Sequence, residues 1–326
     1  MIRSSRRSLL ALLPGLVAAP AARAQPAWAP TRPLRFVVPF AAGGATDIVA
    51  RVLSEPMGER LGQAVAVDNR TGAGGNVGME NVVRSLADGH TFLMGTTGTL
   101  TINPHLYAGM GFDPLADLAP VGLAFATDHV LIVHPGVAAR TAAEFLALAK
   151  ARPGSLSYGS GGNGTSTHTV AELFKLVAGL DLQHVPYRGS APALNDTVAG
   201  NVQLMLDQVA SALPQIQAGR VRALAVTGAR RHRALPDVPT VAEIRLAAAE
   251  ATSWGAVMVP AGTPAPAILR LNAVLREALA LPGVQERLTQ VGAEALTSTP
   301  EELAAFLRAE TAKWARVVRE ARITVN

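Results

Sequence analysis

The chain of 326 residues contains no cysteine, and its 29 Lys and Arg residues against 24 Asp and Glu give a formal net charge of +5. Four of the arginines lie in the first 24 residues, which contain no acid, so the rest of the chain carries only +1. This balance argues against a nucleic-acid-binding protein. The lack of cysteine excludes disulfides, thiolate metal sites and a lipid-modified cysteine.

The N-terminal residues have the features of an export signal. Three arginines precede an apolar run from Leu9 to Pro20, and Ala22-Arg23-Ala24 fits a signal-peptidase site. The apolar run is too short to span a membrane. We therefore predict that residues 1–24 are a signal peptide and that the mature protein is periplasmic and not membrane-embedded. The Arg6-Arg7 pair leaves the Sec route and the twin-arginine route both open.

The segment from Leu34 to Asp47 combines a short apolar strand, a glycine turn and the polar start of a helix. Thr46 or Asp47 can cap the first helical turn. Gly43 and Gly44 leave the backbone N–H groups open to a ligand. Because a helix N-terminus favours negative charge, this loop predicts an anion site.

Two further strands end in loops of similar composition. Ala64–Val67 leads into the loop Thr71–Asn76, and Thr91–Met94 leads into Gly95–Thr99, which is rich in small hydroxyl residues. Ligands of open α/β sheets lie at the carboxyl ends of the strands. The three loops therefore predict a ligand site along one edge of a sheet.

A strand between Val121 and Val133 is predicted to lead out of the first α/β unit. The second unit repeats the opening design, because the strand Ser155–Tyr158 runs into the glycine-rich loop Gly159–His168. Capping boxes predict two helix starts, one at Thr141 with Glu144 and one at Thr299 with Glu302.

The glycines of the second-unit loop fit the G-x-G-x-x-G pattern of dinucleotide-binding proteins. However, the next strand ends at Arg188 and not at the acidic residue that holds a ribose. We therefore expect no nicotinamide cofactor. A phosphate or carboxylate cradle needs only donors, which Ser160, Asn163, Thr165 and the backbone supply.

The remaining elements complete the second unit and return to the first. A helix from Ser190 ends at Gly200, and the strand Val202–Leu206 finishes at Asp207. The basic run Arg230–Arg233 is interpreted as a solvated loop. The strand Trp254–Val259 is predicted to carry the chain back to the first domain.

Patterns that indicate catalysis are few. Ser160 lies in Gly-Ser-Gly-Gly and not in G-x-S-x-G, and the seven histidines show no metal-ligand spacing. A triad of Ser160, His168 and Asp196 is not favoured, because its surroundings are rich in glycine. We therefore expect no enzyme activity, no metal and no cofactor. An exported hydrolase, or a ligand sensor that feeds a signalling partner, are the alternatives.

Several motifs occur in one order along the chain. The first unit contains Val38-Pro39-Phe40 with Gly43-Gly44 and Asp47, then Asn69-Arg70 before Gly72-Ala73-Gly74-Gly75. The second contains Tyr158-Gly159-Ser160 with His168, then His184-Val185-Pro186-Tyr187-Arg188-Gly189, Arg222–Thr227, Leu235–Thr240 and Pro260–Pro264. Together they resemble the substrate-binding proteins of tripartite tricarboxylate transporters, the Bug family. Ala42 departs from the proline that the family usually has before the two glycines.

The resemblance implies the α/β type II periplasmic-binding-protein fold, in which two α/β domains close on a ligand in the cleft between them. The first domain would be discontinuous and comprise residues 25–128 and 253–326, and the second would comprise residues 129–252. Such a protein would bind a small carboxylate and act with the membrane subunits of a transporter. It would be a monomer and would bind no nucleic acid.

The resemblance also implies a set of ligand-binding residues on each domain. In the first domain these are Phe40, Ala41, Gly44, Asp47, Thr96 and Thr97. In the second domain they are Ser160, Asn163, Gly164, Thr165, His168, Tyr187 and Asp207. Arginine and lysine are missing from both sets, and Asp47 and Asp207 would repel extra anionic groups if they faced the cleft. We therefore expect a monocarboxylate, an amino acid or a small dicarboxylate rather than citrate.

Overall fold

The computed structural model describes residues 28–320 and 323–324. The predicted signal peptide, residues 1–24, lies outside the described residues. The described part of the chain is a mixed α/β structure with ten strands. The strands are β1 (Leu34–Val38), β2 (Val65–Asn69), β3 (Thr91–Thr96), β4 (Leu118–Val133), β5 (Ser157–Ser160), β6 (Gln183–Pro186), β7 (Leu204–Gln208), β8 (Arg222–Val226), β9 (Thr252–Pro260) and β10 (Glu294–Ala295).

Eleven α-helices accompany these strands in the described residues. They are α1 (Ala45–Leu61), α2 (Asn76–Val83), α3 (Asn103–Leu106), α4 (Pro114–Asp117), α5 (Ala142–Ala151), α6 (Ser166–Ala178), α7 (Ser190–Ala199), α8 (Val209–Gln217), α9 (Ala265–Leu279), α10 (Pro282–Gln290) and α11 (Pro300–Glu320). No helix among the described residues combines the length and the apolar character that crossing a membrane requires.

The strands form two groups that share β4. In the first group, which we call the first lobe, the order is β2-β1-β3-β9-β4, with β1, β2 and β3 parallel and β9 antiparallel to β3. In the second lobe β7 lies between β4 and β5, β6 follows β5 in parallel, and β8 pairs with β4. Both lobes therefore have parallel strands followed by helices, as the sequence predicts.

The predicted strand between Val121 and Val133 is confirmed, and β4 begins three residues earlier, at Leu118. Its residues up to Asp128 pair with β9, and those from His129 onward pair with β7. Asp128 is the register partner of Thr252, where β9 begins. The chain thus changes sheets next to the predicted domain boundaries, which remain a prediction in their exact position.

Each lobe has its own apolar core, built where alternate strand residues meet the inner faces of helices. In the first lobe the rings of Phe36 and Phe92 lie 4.5 Å apart between centroids, and Phe125 is fully buried beside them. In the second lobe Phe145 and Phe174 are fully buried. These cores hold the loops at the strand ends in fixed positions.

Both predicted helix starts are confirmed, although the Glu144 carboxylate reaches the N–H of Arg140 and not that of the N-cap Thr141. Thr141 Oγ accepts from the N–H of Glu144 at 3.2 Å, and the Glu144 carboxylate accepts from the N–H of Arg140 at 2.6 Å. At the start of α11 the Glu302 carboxylate accepts from the N–H of Thr299 at 2.8 Å, and Thr299 Oγ accepts from the N–H of Glu302 at 3.1 Å. The sequence therefore locates these two helix starts to the residue.

Candidate functional site

A cavity lies where the carboxyl ends of the strands of both lobes meet. It has a volume of about 20 Å³, room for about one water molecule. The residues that line it are Phe40, Gly44, Ala45, Thr46, Thr96, Gly161, Thr165, Ser166, Thr167, Ser190 and Gln208. Small, polar and glycine residues dominate this set, and it includes no charged side chain.

The first-lobe wall of the cavity is the N-terminus of α1. Gly44 is the N-cap in an extended conformation, and no side chain in the described part of the protein caps the helix. The first N–H groups of a helix lack intrahelical partners. The N–H groups of Ala45 and Thr46 are therefore free of intrahelical hydrogen bonds, and both residues line the cavity. Gly43, with φ of +84°, turns the chain into this position. The positive φ thus belongs to Gly43 and not to Gly44, whose φ is −80°.

Asp47 fixes the conformation of this loop and does not line the cavity. Its carboxylate accepts from the N–H of Gly43 at 2.9 Å, from Asn69 Nδ2 at 3.0 Å and from Arg51 Nε at 2.9 Å. Burial alone would raise the pKa of Asp47, but these hydrogen bonds outweigh it and hold the pKa below its usual value. Asp47 therefore buttresses the loop, and its contact with a ligand stays a prediction.

The second-lobe wall is the N-terminus of α6. Thr165 is the N-cap, and no side chain caps this helix either. Thr165 Oγ donates to the carbonyl of Gly162 at 2.7 Å, and Thr167 Oγ accepts from the N–H of Gly161 at 2.8 Å. These bonds hold the glycine loop, so the free N–H groups of the first turn face the cavity.

Two more helices present their N-termini at the same place. Ser190 begins α7 behind the N-cap Gly189, and Gln208 is the N-cap of α8. Neither end has a side-chain cap among residues 28–320 and 323–324. Four uncapped helix N-termini therefore surround one cavity. Since each carries partial positive charge from its N–H groups, the cavity favours an anion without any arginine or lysine.

The structure brings together only part of the predicted site. Phe40, Gly44, Thr96 and Thr165 line the cavity. The predicted residues that it places outside the lining are Ala41, Asp47, Thr97, Ser160, Asn163, Gly164, His168, Tyr187 and Asp207. The lining residues that the sequence missed are Ala45, Thr46, Gly161, Ser166, Thr167, Ser190 and Gln208. Thr46 and Ser190 lie at helix starts that the sequence predicts, and this position is the signal that could have identified them.

Several of the residues outside the lining have protein partners that account for their positions. Thr97 Oγ accepts from the N–H of Trp254 at 3.0 Å, and Tyr187 Oη donates to Asp196 at 2.7 Å. Asp207 is fully buried and accepts from Ser211 Oγ at 2.7 Å. Burial raises the pKa of Asp207 to about 7, although the bonds from Ser211 and from the N–H of Gln208 oppose this.

The lobes touch on the rim of the cavity. Tyr107 Oη of the first lobe donates to the carbonyl of Asn163 in the second at 2.6 Å. A Cβ atom on Gly98 would lie 2.9 Å from the carbonyl of Gly164. The predicted loop residues Asn163 and Gly164 therefore form contacts between the lobes, and glycine allows their backbones to approach.

A stack of aromatic rings supports the glycine loop from below. The His168 and His184 rings lie 4.2 Å apart between centroids, and Tyr158 stacks on the other face of His184 at 4.8 Å. Ser160 Oγ lies 2.6 Å from His184 Nε2, and His168 Nδ1 accepts from the N–H of Gly164 at 3.2 Å. Ser160 thus contacts His184 and not His168, so the triad that the sequence did not favour is not assembled.

Burial keeps both stacked imidazoles uncharged, since desolvation lowers the pKa of His168 to about 4 and that of His184 to about 3. The unfolded chain takes up protons at the ordinary histidine pKa of about 6.5, before the folded protein does. The free energy of unfolding should therefore fall by up to roughly 3 kcal/mol per histidine as pH is lowered from about 6.5 to about 4. Urea unfolding at several pH values measures this loss.

His184→Phe keeps the ring stack but removes one titrating group, so its stability should depend less on pH than that of the wild type. The exposed His105 provides the control, and His105→Gln should leave the pH dependence unchanged. Equal slopes for the wild type and His184→Phe would contradict the proposed neutral stack.

The family comparisons agree with this architecture. The model of the tripartite tricarboxylate transporter family receptor matches residues 49–323. The chain belongs to this family. It is 43% identical over 298 residues to a UPF0065 protein from the tcbD-tcbE intergenic region of Pseudomonas sp., covering 91% of this chain and 88% of that protein. It is also 36% identical over 292 residues to BugT of Bordetella pertussis, covering 89% and 90%.

Solved structures of periplasmic binding proteins share the fold of this family member. An R. palustris protein solved with adipate superposes with a TM-score of 0.88 at 36% identity, covering 90% of this chain and 99% of that one. MatC from Rhodopseudomonas palustris with bound malate gives a TM-score of 0.85 at 32% identity, covering 89% and 99%. The two-domain periplasmic-binding-protein fold expected from the sequence is thus confirmed.

Proposed function

We propose that this receptor-family protein captures a small carboxylate between its lobes and delivers it to the membrane subunits of a transporter. The observation that carries the proposal is the convergence of four uncapped helix N-termini on one cavity. Relatives of known structure hold adipate and malate, which are both dicarboxylates. The proposal includes a periplasmic location, a monomer, and lobes divided at residues 128/129 and 252/253.

The uncharged, donor-rich lining of the cavity supports ligands with one or two carboxylates. A hydrogen bond from an N–H group to a charged oxygen contributes about 1.5–3 kcal/mol, so a few N–H groups suffice for one carboxylate. Each further charge needs its own donors. The lining supplies hydroxyl groups for this purpose, and those of Thr46, Ser166 and Ser190 have no hydrogen-bond partner in the described part of the chain. Asp47 and Asp207 are engaged elsewhere and oppose a second carboxylate less than the sequence suggested.

A thermal-shift screen of the refolded mature protein against a carboxylate library tests the proposal. A ligand that binds only the folded state raises the melting temperature in proportion to the logarithm of its concentration above Kd. We expect mono- or small dicarboxylates to give the largest shifts and to be recovered unchanged. Citrate binding tighter than all of these would contradict the charge argument. Turnover of the ligand would favour the hydrolase, and no shift with any carboxylate would contradict the function.

Small-angle scattering tests closure of the lobes separately. Because the cavity has room for about one water, a carboxylate can enter only when the lobes part. A ligand that bridges the lobes shifts the protein toward the closed form through its differential affinity. The radius of gyration should therefore decrease on saturation with the best ligand of the screen, and an unchanged value would indicate a preformed rigid pocket.

A further inference from the structure

Gln208 occupies a strand position that is otherwise apolar. Alternate residues of β7 point to one face of the sheet, and the two before it on this face, Leu204 and Leu206, belong to the core under α6. Gln208 is only 6% exposed, and it lines the cavity. The pattern thus brings an amide to the cavity wall where a third leucine would continue the core.

The side-chain amide of Gln208 has no hydrogen-bond partner among residues 28–320 and 323–324. Only its backbone is engaged, because its N–H donates to Asp207 at 2.9 Å and its carbonyl accepts from Ser211 Oγ at 3.0 Å. Although the residue is largely buried, its amide nitrogen and oxygen remain accessible from the cavity. A donor and an acceptor that face a cavity without a protein partner are consistent with a site whose hydrogen bonds a ligand completes.

The surroundings of this amide are polar but uncharged. His129 is the register partner of Gln208 on β4, so both side chains lie on the same face of the sheet, with Cβ atoms about 5 Å apart. His129 is fully buried, its Nδ1 has no partner among the described residues, and burial lowers its pKa to about 3. Asp207 faces the other side, toward Ser211. This end of the cavity therefore has no cation for a second carboxylate.

We propose that Gln208 determines the specificity of the site and that it selects carboxylates whose carbon chain carries a hydroxyl group. The inference rests on the carboxylate-binding function proposed above. The amide can donate to the hydroxyl oxygen and accept its proton, whereas a methylene group in that place leaves the amide unpaired. A site built to hydrogen-bond a polar group discriminates strongly against analogues that lack it.

Calorimetry with matched ligands tests this role. Malate and succinate differ by one hydroxyl group, as do 3-hydroxybutyrate and butyrate. The wild type should bind the hydroxylated member of a pair at least about 10-fold more tightly. Gln208→Met, which keeps the side-chain length but removes the amide, should bring the ratio close to one.

Gln215→Met is the matched control. Gln215 lies on α8 outside the cavity lining, and its Oε1 also has no hydrogen-bond partner among the described residues. This substitution should leave the ligand ratio unchanged.

The outcomes separate the two proposals. Equal affinity within each pair, a ratio retained in Gln208→Met, or binding restricted to carboxylates without a hydroxyl group would each overturn the role of Gln208 alone. Failure of the wild type to bind any carboxylate would contradict the proposed function and this inference with it.

Discussion

Gly44→Val is expected to weaken carboxylate binding by at least about 100-fold while the protein stays folded. A Cβ atom at this position would lie 2.7 Å from Ser190 Oγ of the second lobe. The valine methyl groups would also cover the N–H groups at the start of α1. Because the clash is between the lobes, it is relieved when the cleft opens. The substitution therefore acts on ligand capture rather than on folding.

Calorimetry with the best ligand measures the loss, and circular dichroism shows that the fold is retained. Gly109→Val is the control, since Gly109 is exposed and a Cβ there meets no atom within 4 Å. It should bind as the wild type does. If Gly44→Val kept the wild-type affinity, the loop before α1 would not contact the ligand.

Asp47→Ala should lower the free energy of unfolding by roughly 2–4 kcal/mol and abolish tight binding. The carboxylate is 3% exposed, and its loss removes one acceptor each from the N–H of Gly43, from Asn69 Nδ2 and from Arg51 Nε. Arg51 itself is half exposed, so most of the effect comes from the hydrogen bonds rather than from charge attraction. Urea unfolding and calorimetry on the same sample measure both losses.

The chain offers a matched comparison for this substitution. Glu80 and Arg84 also form an acid–arginine pair four residues apart on a helix, but both side chains are exposed. Glu80→Ala should change the free energy of unfolding by less than about 0.5 kcal/mol. A similar cost for both substitutions would mean that Asp47 contributes no more than a surface ion pair.

The sequence predicts the fold well because glycine loops, capping boxes and alternating strands are local signals. The start of α11 shows this, since the pattern at Thr299 and Glu302 is enough to locate it. The position of the crossing at Asp128 follows from the family resemblance rather than from any local pattern.

The cavity wall is harder to predict, because its donors are backbone N–H groups that every residue has. In the sequence Ser166 and Ser190 cannot be distinguished from ordinary helix-start residues. Their place in the cavity wall follows only from the fold, which brings four helix N-termini together. Asp47 illustrates the opposite difficulty, since a motif residue near a ligand loop can act by holding the loop. For Gln208 the signal was present in the alternation after Leu204 and Leu206, where a polar residue interrupts an apolar face.

The path of β9 makes the two lobes differ in how much of the chain each sheet requires. In the first-lobe sheet β9 lies between β3 and β4, yet in the chain it follows all the strands of the second lobe. The strands that the second lobe adds to β4 end at Val226, so its sheet is built from one continuous stretch of chain. The sheet of the first lobe is complete only when β9, from the C-terminal third of the chain, has joined the N-terminal strands.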